Sequence, residues 1–150
     1  MIAIQFFLSM IATMSFAVIF SAPKKEWLFC GLSGAIGWIV YYVLFHNDVN
    51  MVVSTMIATF ALTIFSRTFA VVRKHPATVY LLSGIFPLVP GAGIYYTAYY
   101  LITNQSTLCY TKGMETFGIA AAIVFGIIFA FAIPQALFNK LYLKKSSTGQ

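Results

Sequence analysis

The chain has 150 residues, 61% of them hydrophobic and only 8% charged, with nine Lys or Arg against three Asp or Glu. A soluble domain carries about 25% charged residues, and twelve charged side chains cannot cover a soluble globule of this size. A soluble enzyme and a disordered chain are both excluded, which leaves an all-α integral membrane protein. The net charge of +6 is scattered through short gaps between apolar runs, so no basic face is offered to nucleic acid and the charge is expected to orient the chain in a bilayer.

Residues 2–22 form the first span. They lack a basic leader, the apolar stretch is too long for a signal peptide, and Phe20 is not small at the −3 position before Ala22, so a retained helix is expected. Residues 27–45 and 49–66 are each close to the roughly 20 residues that cross a bilayer. Residues 77–103 carry no charge, and residues 114–139 are broken only by Glu115. Five spans make residues 1–145 one membrane domain, with 146–150 as a polar tail. The stretches 66–76 and 104–113 are expected as the longest connections, too short to fold into a domain. Lys24, Lys25, Arg67, Arg73, Lys74, Lys140, Lys144 and Lys145 then share one side, and Lys112 stands on the other. The positive-inside rule places the N-terminus outside and the C-terminus in the cytoplasm.

The fourth run holds the strongest local signal, Pro87-Leu88-Val89-Pro90-Gly91-Ala92-Gly93. A helix over 77–103 would be about 40 Å long, against a hydrocarbon core of about 30 Å, and its breakers sit at its centre. Each proline removes an N–H and clashes with the carbonyl four residues back. Two half-helices, 77–86 and 92–103, are expected around an unwound link; the alternative is a plain proline kink. Free backbone at membrane depth must be buried in protein or line a cavity, and discontinuous helices mark substrate sites in secondary transporters. The amides of Gly91, Ala92, Gly93 and Ile94, at the positive end of a helix dipole, would suit a carboxylate. Tyr95, Tyr96 and Thr97 would line the cavity beside the break. An aromatic belt is the alternative for them, and it suits Tyr99 and Tyr100 better.

Gly31, Gly34 and Gly37 in the second run, and Gly118, Ala122, Gly126 and Ala130 in the fifth, have the spacing of close helix packing. Thr55, Thr59 and Thr63 form either a polar cavity stripe or bonds back to their own helix. Asp48 and Glu115 are expected as solvated end residues and Arg67 as an anchor. His46 and His75 are isolated. Cys30 and Cys109 form no metal or redox pair. No Ser/His/Asp set, paired carboxylates or phosphate loop is present, so neither catalysis nor a cofactor or metal is expected.

With the fourth run in hand, the chain resembles the short membrane subunit of the threonine/serine exporter family. The resemblance rests on Ser66-Arg67, His75-Pro76 and Phe86-Pro87-Leu88-Val89-Pro90-Gly91 followed by Tyr95. It implies export of small carboxylate-bearing metabolites, threonine or serine first and succinate as the alternative, from a bacterial cytoplasmic membrane. It also implies pairing with a longer subunit of the same family that carries a cytoplasmic domain and its own broken segment. The two five-span units would form an inverted pair. A rival of another class is a non-transporting assembly subunit.

Overall fold

In lipid a helix is the only single-segment structure that satisfies every backbone group, and long apolar runs fold accordingly. The computed structural model describes residues 2–135. Six α-helices follow in order: α1 Ile2–Ile19, α2 Trp27–His46, α3 Met51–Arg73, α4 Ala77–Ile85, α5 Gly91–Ile102 and α6 Ser106–Ala132. Short 3-10 turns at Lys24–Glu26 and Phe86–Leu88 precede α2 and follow α4. Helices α1, α2 (with its leading turn), α3 and α6 are each long and apolar enough to cross a membrane. Helix α4 with its turn is long enough to cross only together with α5, and the two segments are inclined by 52°.

Several boundaries differ from the expectation. The first run stops at Ile19, because Ser21 takes a left-handed φ of 56° before Pro23. The third was expected to end at 66; its helix continues to Arg73 and stops where Lys74 turns left-handed (φ 58°) before Pro76. Nothing between 66 and 73 breaks a helix, so the charge of Arg67 was no boundary. The fifth was expected to begin at 114 but begins at Ser106 and leaves the helical region at Ile133, ahead of Pro134. Both stretches expected as the longest connections, 66–76 and 104–113, are therefore mostly helical. Residues 136–150, which hold the end of that run, three lysines and the polar tail, lie outside the described residues.

Lipid supplies no hydrophobic drive between helices, so small side chains and polar contacts do the joining. Helices α1 and α2 run antiparallel and close. A Cβ on Gly31 would lie 2.7 Å from Met14 Cγ, and one on Gly34 would lie 2.1 Å from Thr13 Oγ1. Gly84 of α4 would meet Leu62 and Ser33 at 2.7 and 2.9 Å. Helix α3 turns a face of Ser54, Thr55, Ala58, Thr59, Leu62, Thr63, Ser66 and Ala70 inward. Thr55, Thr59 and Thr63 each donate to the carbonyl four residues back, at 2.7–2.8 Å, which satisfies their hydroxyls inside the bundle. Helices α3 and α6 run parallel, with Gly118 beside Val52 and Gly126 against Met56 and Thr59. The first three turns of α6 consequently stand past the start of α3, where α5 packs against them in the opposite direction.

Two polar clusters fix the end that carries Lys24, Lys25 and Lys74. The carboxylate of Glu26, 1% exposed, accepts from Arg73 at 2.7–3.2 Å and from Tyr80 Oη at 2.8 Å, with His75 Nε2 at 3.6 Å. It joins the turn before α2 to α3 and α4. Arg67, 3% exposed, does more than anchor the chain at a bilayer surface. Pro134 has no N–H for the carbonyl of Ala130, and Arg67 donates to that oxygen at 2.5 Å, to Ile133 O at 2.8 Å and to Gln135 Oε1 at 2.7 Å. A guanidinium on α3 thus closes the end of α6.

Replacing Arg67 with Met strands two carbonyls in a buried site, and a hydrogen bond to a charged group contributes about 1.5–3 kcal/mol. Thermal unfolding in detergent is expected to show a loss of about 3 kcal/mol; a stability equal to wild type would remove this role from Arg67. Gly34→Ala is expected to cost about 1–3 kcal/mol by overpacking, and the double variant with Thr13→Gly, which removes the facing Cβ as well as the hydroxyl and methyl, to cost less than the sum of the two single losses. Additive losses in the pair would show that the α1–α2 approach is not the cause.

Candidate functional site

The proline-rich link is held from one side and open on the other. Phe86 stacks on Phe16 of α1, with ring centroids 4.4 Å apart, and Leu88 is buried. The carbonyl of Phe86, which Pro90 cannot serve, accepts from Val89 N–H at 3.2 Å. Val89 is extended, Pro90 (φ −77°, ψ 60°) turns the chain, and a new helix starts at Gly91. A cavity of about 340 Å³ lies on the far side of this turn. That is at the small end of the roughly 300–1,000 Å³ usual for ligand sites. Its walls come from Trp38 and Tyr41 of α2, Met51 and Thr55 of α3, the link, and Lys112, Glu115, Thr116 and Ile119 of α6.

Of the residues expected at a substrate site, Pro87, Pro90, Ala92, Gly93 and Tyr96 line this cavity. Ile94 and Thr97 turn away and, with Pro90, line a separate, almost wholly apolar groove between α5 and α6. Gly91 and Tyr95 line neither, and Tyr95 is 64% exposed. The amide expectation also needs correction. Gly91 N–H is taken by Val89 O at 2.8 Å and Ile94 N–H by Pro90 O at 3.0 Å. A first-turn helix has four donors without intrahelical partners only if nothing upstream accepts; here two carbonyls of the link do. Ala92 and Gly93 remain as the residues whose amides head the helix beside the cavity.

The glycines are unequal for the same geometric reason. A Cβ on Gly91 would meet nothing within 4 Å, whereas one on Gly93 would lie 2.4 Å from Thr116 Oγ1. Gly93 is the close approach that lets α5 lie against α6. Thr116 is itself tied back to Lys112 O at 2.7 Å, and Thr97 to Gly93 O at 2.8 Å.

Two site residues were assigned elsewhere from the sequence. Lys112 was placed in a loop and Glu115 as a solvated end residue, yet both sit within α6 and line the cavity. Their side chains pair at 2.8 Å, each a little under half exposed. The i, i+3 spacing, in a stretch from 106 without proline, was the available signal. Asp48 is exposed in the α2–α3 turn with a φ of 58°. Cys30 packs beside Ala17, Ala70 and Tyr80, and Cys109 Sγ contacts Thr97 O at 3.5 Å; both are free thiols. Among the described residues no three His, Cys, Asp or Glu side chains gather to hold a metal ion.

A family model described as threonine/serine exporter, ThrE, matches residues 5–133. The chain belongs to this exporter family. A Haemophilus influenzae protein described only as uncharacterized is 22% identical over 134 residues. The match covers 87% of this chain and 45% of that relative, so the chain spans a little under half the length of the curated relative it matches. No solved structure matches it. The family is one of transporters, and the all-helical chain, with four to five helices able to cross a bilayer, fits a multi-pass exporter protein.

Gly93→Ala is expected to force α5 off α6 and to lower thermal stability by about 1–3 kcal/mol, while Gly91→Ala leaves it unchanged or slightly raised. Thr116→Ala in the Gly93→Ala background should restore stability. Equal effects at the two glycines would contradict the packing assigned to Gly93.

Proposed function

We propose that the chain is the short membrane subunit of an exporter of small carboxylate-bearing metabolites, with threonine and serine as first candidates, in a bacterial cytoplasmic membrane. The observation that carries this is the cavity at the bent link, where a helix N-terminus, a lysine and several hydroxyls converge on a space of metabolite size. The paired segments α4 and α5 are taken as one interrupted crossing, giving five spans. The N-terminus is then outside and the end bearing Lys24, Lys25 and Lys74 cytoplasmic.

In this mechanism the substrate carboxylate sits near the Ala92 and Gly93 amides, which the α5 dipole favours. Tyr96, Thr55 and Thr116 supply hydrogen-bonding groups. The Glu26 and Arg67 clusters hold the cytoplasmic end shut in the conformation described, so the cavity faces the opposite end. Alternating access requires that end to open in turn. A longer family subunit supplies the other wall and the cytoplasmic domain; the relative from Haemophilus influenzae, more than twice as long as its matched part, supports a larger functional unit. No resident cofactor is needed for this cycle.

Ala92→Phe fills the cavity from an exposed position on α5, so folding should survive. Export of threonine and serine is expected to fall at least about tenfold with membrane abundance unchanged, and a deletion strain should accumulate the same metabolites. Unchanged export at normal abundance would favour a structural subunit that touches no substrate. Gly91→Leu is the weaker test, since a side chain there meets open space.

A further inference from the structure

We propose that Lys112 and Glu115 read both charges of an amino-acid zwitterion, and so set the preference of the protein for amino acids over dicarboxylates. This rests on the exporter function proposed above and adds to it the residues that select the substrate.

The pair stands one turn apart on α6, ammonium to carboxylate 2.8 Å, in the wall of the cavity at the bend. Every other side chain lining that cavity is uncharged, from Trp38 and Tyr41 across to Tyr96 and Thr116. Among the described residues the two groups are therefore the only formal charges its lining offers. Both keep over two-fifths of their surface exposed, so each can turn to a ligand without being pulled from a buried network. A pair this exposed contributes little to holding the helix.

Without substrate the two charges neutralise each other. An α-amino acid carries an ammonium and a carboxylate on one carbon. It can exchange the single internal ion pair for two, carboxylate to Lys112 and ammonium to Glu115, with no charge left over. A dicarboxylate finds one cation, and its second carboxylate lies against Glu115. A diamine meets the converse repulsion from Lys112. Selection thus comes from a repulsive element as much as from an attractive one. The hydroxyls of Thr55, Thr116 and Tyr96 offer the hydrogen bonds that a hydroxyl-bearing side chain would use.

The test replaces the chromosomal gene in the native host, so that any partner is present, and follows efflux of labelled threonine and labelled succinate separately. Membrane abundance is measured by immunoblot. Wild type is expected to export threonine well ahead of succinate. Glu115→Gln should lower threonine efflux about tenfold while leaving succinate efflux equal or raised. Lys112→Met should lower both. Exchanging the charges, Lys112→Glu with Glu115→Lys, should recover threonine efflux above either single variant, and it serves in place of Glu115→Gln should that variant be poorly produced. Threonine efflux within about twofold of wild type in Glu115→Gln, or equal loss of both substrates there, overturns the proposal. A wild-type preference for succinate overturns it too but leaves the exporter function standing. A wild type that exports neither removes both.

Discussion

One buried carboxylate holds one end of this bundle. Glu26 is almost wholly withdrawn from the surface, and a buried carboxylate is tolerable only when paired and hydrogen-bonded. Arg73 supplies a two-nitrogen grip and Tyr80 a hydroxyl. The turn before α2 is joined by a single charge to the end of α3 and the start of α4, and Arg67 does the same for α3 and α6 a little further in. Planar guanidinium groups suit both tasks, because each must satisfy several oxygens in fixed directions.

Among the described residues the opposite end has no comparable knot. Helix α1 contributes only Gln5, bonded to Trp38 Nε1 at 3.0 Å, and α2 and α3 are joined by a tight turn. The link after α4 swings α5 away by 52°, and α6 runs past the start of α3 to meet it. A space is left where α2, α3 and α6 would otherwise close on a straight helix. Packing at one end and bending at the other are thus complementary: the polar clusters keep α2, α3, α4 and α6 together while α5 departs from them. The cavity is a by-product of a proline link whose exposed backbone must be covered or used.

Much of this was legible in the sequence because membrane segments announce themselves by length and hydropathy, and proline by its missing donor. The link at 87–90 follows from the second rule, and the small residues facing Thr13, Leu62 and Thr59 from the spacing of close helix packing. Charges misled at the boundaries. Arg67 was treated as the end of a helix that runs six residues further, and Lys112 as a loop residue inside a helix that had already begun. A charge ends a span only where water waits for it; one that meets carbonyls or an acid can lie within the protein. Glu26 was passed over because its partners, at 73 and 80, lie far along the chain. That it is the only acid among the cations on its side was the hint. The amides at 91 and 94 were counted as free because the carbonyls of the link were not counted against them.

Helix α5 explains why a single chain of this kind is expected to work with another. None of its residues is buried, and α6 is its principal neighbour in the fold. Tyr95 stacks parallel to Tyr99, and Tyr96 to Tyr100, in rows along its surface. Phenol rings bring both apolar area and a hydroxyl, which suits a surface that must meet lipid headgroups or another helix. A half-helix supported along one side can tilt about its proline link at little cost in lost packing. That freedom would serve the proposed alternating access only if a second surface limited it, since an unconstrained tilt would open the cavity to lipid as readily as to water. The proposed longer subunit, by covering the free side of α5, would turn a loose segment into a gate with two positions.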